Sequence, residues 1–140
     1  MPGRTFFDTN VLVHLFDADA PDEQARAREA LQVSLERGVA VVSTQVLQEF
    51  FVTVTHKLAR PLPAAEAESA LRRLMELPVV QVDPDLTLAA AVSARRDRIS
   101  FWNALILATA SAAGCGEVLS GDLEHGRSFG RVRVVDPFRE

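Results

Sequence analysis

The sequence predicts an α/β fold, a three-layer α/β/α sandwich on a five-stranded, mainly parallel sheet. Three observations lead there. Short apolar runs recur at Thr5-Phe6-Phe7, Val39-Ala40-Val41-Val42, Val79-Val80-Gln81-Val82, Glu117-Val118-Leu119-Ser120 and Arg131-Val132-Arg133-Val134-Val135. Stretches with helical periodicity and helix stop signals separate the first four. No linker, repeat or low-complexity run divides the 140 residues, so residues 1–140 are expected to form a single domain with a substantial core. Strands that alternate with helices belong to a mostly parallel sheet covered on both faces.

The first strand ends at Asp8, and Val11-Leu12-Val13 either continues it or opens a helix. Residues 22–37 read as an amphipathic helix, with Asp22 as N-cap and Gly38 as stop. After the second strand, Ser43 or Thr44 caps a helix reaching about Leu58, before Pro61. Residues 64–77 form the next helix, between Pro63 and Pro78. Pro84 fits the first turn of a helix that follows the third strand and runs to about Arg96. Ser100 caps residues 101–113, which are apolar nearly all round and therefore expected to be buried, and Gly114 stops them. Residues 121–130 read as a polar loop. In the last strand Arg131 and Arg133 alternate with valines, as at a sheet edge.

Composition narrows the function. There are 15 Lys+Arg against 19 Asp+Glu, a net charge of −4, which disfavours holding nucleic acid by bulk charge alone. It leaves room for a nucleic-acid enzyme that works through a cation. The single cysteine, Cys115, excludes a disulfide-stapled fold, and His14, His56 and His125 lack zinc-ligand spacing. No run of about 18 apolar residues and no secretory h-region occurs, so a soluble, cytoplasmic protein with no membrane contact is expected.

In sheets of this class, ligands bind beyond the carboxyl ends of the strands, where strand order reverses. Asp8 follows the first strand and Asp122 follows the fourth, so the two converge if those strands are neighbours. Asp83 and Asp136 also follow strands, but each precedes a proline and reads as a turn element. Asp8 could equally cap a helix starting near Asn10. Carboxylates gathered without useful His or Cys point to a hard cation, Mg²⁺ or Mn²⁺. Helical periodicity puts Glu49 opposite the apolar face of Leu47, Phe50, Phe51, Val54 and Leu58, as a solvated residue. Asn103, three residues after Ser100, resembles the second half of a capping box. Arg95, Arg96, Arg98 and Arg127 form a basic cluster that either contacts phosphates or offsets a helix dipole.

Four segments together resemble the PIN-domain family, and within it the VapC-type ribonuclease toxins of bacterial type II toxin–antitoxin systems. They are Phe7-Asp8-Thr9-Asn10-Val11-Leu12, Ser43-Thr44-Gln45-Val46-Leu47-Gln48-Glu49-Phe50, Ser100-Phe101-Trp102-Asn103-Ala104-Leu105-Ile106 and Leu119-Ser120-Gly121-Asp122-Leu123. No single segment is specific; their order across nearly the whole chain carries the match. The resemblance implies that Asp8, Glu49 and Asp122 are three of four acidic metal ligands, reversing the solvated reading of Glu49. Thr9, Asn10 and Ser43 would shape the site and orient its ligands. Asn103 stands where the family has the fourth acid, either as a natural variant or as an inactivating change.

The resemblance further implies a Mg²⁺- or Mn²⁺-dependent endoribonuclease that leaves 5′-phosphate and 3′-hydroxyl ends. It also implies an RNA substrate, a cognate antitoxin laid across the cleft, and a homodimer. Phe16, Phe50, Phe51 and Trp102 are candidates for an apolar docking groove, with core packing the competing role. The alternative is a non-catalytic PIN-like module that binds antitoxin or RNA without cutting. A receiver-type signalling domain is disfavoured, because no acidic pair precedes Asp8 and no lysine lies near the last strand.

Overall fold

A computed structural model describes residues 3–139. The elements, in chain order, are β1 (Arg4–Phe7), α1 (Thr9–His14), α2 (Pro21–Arg37), β2 (Ala40–Ser43), α3 (Thr44–His56), α4 (Ala64–Leu74), β3 (Val79–Val80), α5 (Pro84–Asp97), α6 (Phe101–Ala112), β4 (Cys115–Leu119), β5 (Ser128–Phe129) and β6 (Val132–Val135). The strand order is β3-β2-β1-β4-β6-β5, and every pairing is parallel except that of β5 with β6.

All four residues of β2 are buried, as are Thr5, Phe6 and Phe7 of β1. Successive strand side chains point to opposite faces, so burial at every position means that both faces are covered. This is the physical content of the α/β sandwich expected from the sequence. The core joins Phe6, Phe7, Val41 and Val42 of the sheet to Leu12, Val46, Phe50 and Ile106 of the helices.

Cap chemistry sets most of the helix ends. Gly38 ends α2 in the left-handed region at φ 66°. Asp83 and Ser100 accept hydrogen bonds from the backbone N–H groups of Leu86 and Asn103, at 2.8 and 3.1 Å. Asp83 is thus the turn element expected of it. So is Asp136, whose carboxylate accepts from Phe138 N–H at 2.8 Å. The N-cap of α2 is Ala20, with Pro21 in the first turn and Asp22 already helical, so the expected Asp22 cap is displaced by two residues.

Two expectations are corrected. The sheet has six strands rather than five, because the polar loop hides the short strand β5. The signal was Gly130-Arg131 between Phe129 and Val132. Gly130 has φ 60°, and a glycine at the first central position suits a two-residue hairpin loop. In consequence β6 is not an edge strand, since β5 covers its outer side. The Arg131/Arg133 alternation reports one solvent-facing side of β6 rather than an edge: both arginines are exposed, while Val132 and Val134 are buried. The segment Val11-Leu12-Val13 resolves as helix.

Ser43 ends β2 and caps α3. It is fully buried, and its Oγ accepts from Val46 N–H at 3.2 Å. Ser43→Ala should therefore lower unfolding free energy by about 1–2 kcal/mol in urea titrations, leaving the denaturant slope unchanged.

Candidate active site

β1 and β4 pair directly, so the chain leaves these neighbouring strands at the point where the sheet's winding reverses. This brings Asp8 and Asp122 to one crevice, as the sequence requires if the two strands adjoin. Asp8 is only 5% exposed and caps α1, accepting from Thr9 N–H at 2.7 Å. Asp122 is exposed, three residues past Leu119 at the end of β4.

The tripeptide Asp8-Thr9-Asn10 is the hub of the site. Thr9 Oγ1 donates to Glu49 Oε1 at 2.8 Å, linking the end of β1 to α3. Asn10 Nδ2 donates to Asp8 Oδ2 at 3.2 Å and to Asp122 Oδ2 at 3.1 Å, while Asn10 Oδ1 accepts from Gly121 N–H at 2.7 Å. One amide thus ties both aspartates and the intervening loop together. Glu49 lies opposite the apolar face of α3, where periodicity puts it. That side, however, forms a wall of the crevice rather than open surface.

Ser120 is a participant that sequence reasoning passed over as merely the end of a strand. Fully buried, its Oγ donates to Asp8 Oδ2 at 2.8 Å and accepts from the N–H groups of Asp122 and Leu123, both at 3.1 Å. Gly121 is constrained by packing: a Cβ there would lie 3.0 Å from the Phe138 ring and 3.2 Å from Asn10 Oδ1. Ser43 does not line the crevice; it acts at a distance by capping the helix that carries Glu49.

Asp8, Glu49, Asn103 and Asp122 line a single open cleft of about 560 Å³, together with Gln45, Lys57 and Trp102. None of Arg95, Arg96, Arg98 and Arg127 lines it. Arg96 pairs with Asp97 at 3.1 Å, and Arg127 packs its guanidinium 4.5 Å from the centre of the Phe129 ring. Lys57 is the cation the cleft does contain, and its small share of the sequence gave no signal. Of the candidate groove aromatics, Phe50 is fully buried, Phe16 and Phe51 pack on the core, and Trp102 is exposed.

The electrostatics are those of crowded acids. Burial pushes the Asp8 carboxyl up from 3.8 to about 6. The hydrogen bonds from Ser120 and Thr9 oppose that rise, and the charges of Asp122 and Glu49 add to it. Among the described residues, no three His, Cys, Asp or Glu side chains are gathered closely enough to hold one ion as they stand. The donor chemistry nevertheless suits a hard cation, since all three acids offer oxygen alone and Asn103 offers an amide oxygen.

Over residues 5–130 the chain matches the PIN domain family. It belongs to that family. Solved structures share the PIN fold at low sequence identity. A toxin–antitoxin complex from Klebsiella pneumoniae superposes with a TM-score of 0.67 and 20% identity, covering 95% of this chain and 97% of that one. VapC20 of Mycobacterium tuberculosis, a toxin that cleaves the sarcin–ricin loop, gives 0.67 at 24% identity, covering 84% and 91%. FitAB bound to a DNA fragment gives 0.71 at 20% identity, covering 97% and 96%. No curated protein matches the chain in sequence.

The raised Asp8 carboxyl makes stability depend on pH. Between about pH 4 and 6 the folded PIN domain holds a proton at Asp8 that the unfolded chain releases. The Asp8 contribution therefore falls as pH rises through that window and levels off above it. The rise from 3.8 to about 6 corresponds to about 3 kcal/mol. Asp8→Asn loses acceptor capacity at every pH and, having no carboxyl to titrate, loses this slope as well. Its stability relative to the parent should improve by roughly that amount between pH 4 and 7 in denaturant titrations.

Proposed function

We propose that this PIN domain is a Mg²⁺- or Mn²⁺-dependent endoribonuclease toxin, weakened by Asn103 and restrained by a cognate antitoxin. The observation that carries the reading is the convergence of Asp8, Glu49 and Asp122 with Asn103 on one cleft at the β1–β4 reversal. Two structures of similar fold support it: one is a toxin that cleaves the sarcin–ricin loop and one a toxin–antitoxin complex. An RNA substrate, a protein antitoxin, homodimer formation and a cytoplasmic setting follow from that reading.

Asp8, Asp122 and Glu49 would hold the cation, with Asn103 adding a neutral oxygen. Bound there, the ion supplies Lewis acidity at the scissile phosphate and lowers the pKa of an attacking water. The chain's own residues fix where this happens. Thr9 orients Glu49, Ser120 orients Asp8, and Asn10 holds Asp8 against Asp122. Asn10 also has to yield part of its amide contact, since its Nδ2 donates to the two carboxylates that would take the ion. Asn103 removes one negative charge from the set, so a second cation loses most.

Asn103 also favours a second reading, in which the fold binds antitoxin or RNA without cutting. The two readings separate on the Asn103→Asp form. The nuclease reading expects RNA cleavage in Mg²⁺ or Mn²⁺ that EDTA abolishes, restored at least about tenfold over the present chain. An Asp form that is inert on varied RNAs gives the site to the binding module.

Metal binding itself has a readout without catalysis. Mn²⁺ or Mg²⁺ should raise the melting temperature at pH 7.5 and do so less at pH 5, where Asp8 holds its proton. Asp122→Asn, at an exposed position, should fold normally and lose most of that shift. An equal shift in the variant would remove Asp122 from the ligand set.

A further inference from the structure

Trp102 is 60% exposed, one residue before Asn103 on the first turn of α6, and it lines the same cleft as the carboxylates. Its indole meets the Phe101 ring edge-to-face, with centroids 5.2 Å apart. Val52, another exposed apolar side chain at 48%, lines the cleft as well. The Trp102 backbone is anchored rather than loose. Gln45, 5% exposed, donates its Nε2 to the Trp102 carbonyl at 3.3 Å, and so ties the start of α6 to α3. The carbonyl can only accept, which fixes the amide's orientation and leaves Gln45 Oε1 buried without a partner.

The cleft-lining residues of α3 and its C-cap run along one side of the helix: Gln45, Gln48, Glu49, Val52 and Thr53, then Lys57. At helical rise, Lys57 stands about 12 Å along the axis from Glu49. The order along this wall is acid, apolar and then cation, with the indole contributed by α6. A groove that pairs an exposed aromatic with a spaced cation is the arrangement that binds a single strand, stacking its bases and neutralising its phosphates. An amphipathic protein segment would need a continuous apolar stripe. Here the apolar surface is bounded by Glu49 on one side and Lys57 on the other.

We infer that Trp102 is a stacking platform for an unpaired nucleobase next to the scissile phosphate, with Lys57 holding a phosphate further along the same strand. This rests on the nuclease reading for its substrate and goes beyond it in naming a base subsite: the site selects unpaired nucleotides over duplex. Gln45 is a positioning residue for the platform.

Trp102 is the only tryptophan in the chain, so its fluorescence reports the platform directly. The native chain is titrated with a short unstructured RNA, with the same length of ribose-phosphate lacking bases, and with a duplex of the same sequence, in EDTA and again in Mg²⁺. The expected result is quenching by the unstructured RNA, with weak or no quenching by the base-free strand or the duplex. Trp102→Ala should weaken RNA binding about tenfold or more by anisotropy, while Trp102→Phe keeps most of it. Circular dichroism confirms folding of both variants. Equal quenching by the base-free strand, no quenching in either condition, or unchanged affinity in Trp102→Ala overturns the inference. So does quenching by an amphipathic helical peptide where RNA gives none, which assigns the surface to a protein partner. The two readings fail separately. If Asn103→Asp cuts RNA while these titrations fail, the nuclease stands without the subsite. If the titrations succeed and Asn103→Asp is inert, the subsite belongs to an RNA-binding module.

Discussion

Asp8 is a carboxylate at the floor of a cleft, where burial and two neighbouring acids oppose its ionisation. Everything around it answers that constraint. Thr9 N–H, Asn10 Nδ2 and Ser120 Oγ all donate to it, using three donors on one small side chain. Those donors are available because β1 lies against β4 and because α1 starts immediately after β1. Neutral donors reduce the cost of the buried charge but do not remove it, since the carboxyl still rises to about 6. A site left in that condition is suited to gaining a cation.

The same constraint gives the surrounding residues their roles. Ser120 satisfies two backbone N–H groups of the Asp122 loop while it donates to Asp8, so loop shape and carboxylate position are coupled through one hydroxyl. Asn10 couples them a second time through its amide, and Phe138 packs so close over Gly121 that a Cβ there would crowd its ring. The net charge of −4 then has a local meaning. Three of the acids, Asp8, Glu49 and Asp122, face one cleft, and Asn103 beside them is uncharged. Lys57 and Trp102 give the cleft a second end with a different chemistry, cationic and aromatic.

The fold was largely legible in the residues. Caps such as Ser43, Ser100 and Gly38 act over three or four residues, and strand burial follows from apolar runs, so local physics was enough. Where local signals failed, the cause was non-local. The two-residue β5 has too little sequence to show a period, and only its pairing with β6 makes it a strand. Glu49 shows the limit from the other direction. Its position opposite an apolar face was read correctly, but whether that side meets solvent or a neighbouring element depends on where Thr9 lies, 40 residues away.

By itself, then, the sequence determined the alternation of strands and helices, the helix caps, the acids at strand ends and, through four short segments in order, the resemblance to PIN domains. Each of these depends on residues close together in the chain. The tertiary structure alone decided which acids meet, that Asn10 and Ser120 hold them, that the arginine cluster stands apart from the cleft, and that Trp102 and Lys57 border it. Those facts depend on the pairing of β1 with β4 and on the approach of the start of α6 to α3. No local pattern encodes such contacts, because they join residues that are distant in sequence and adjacent only once the sheet has formed.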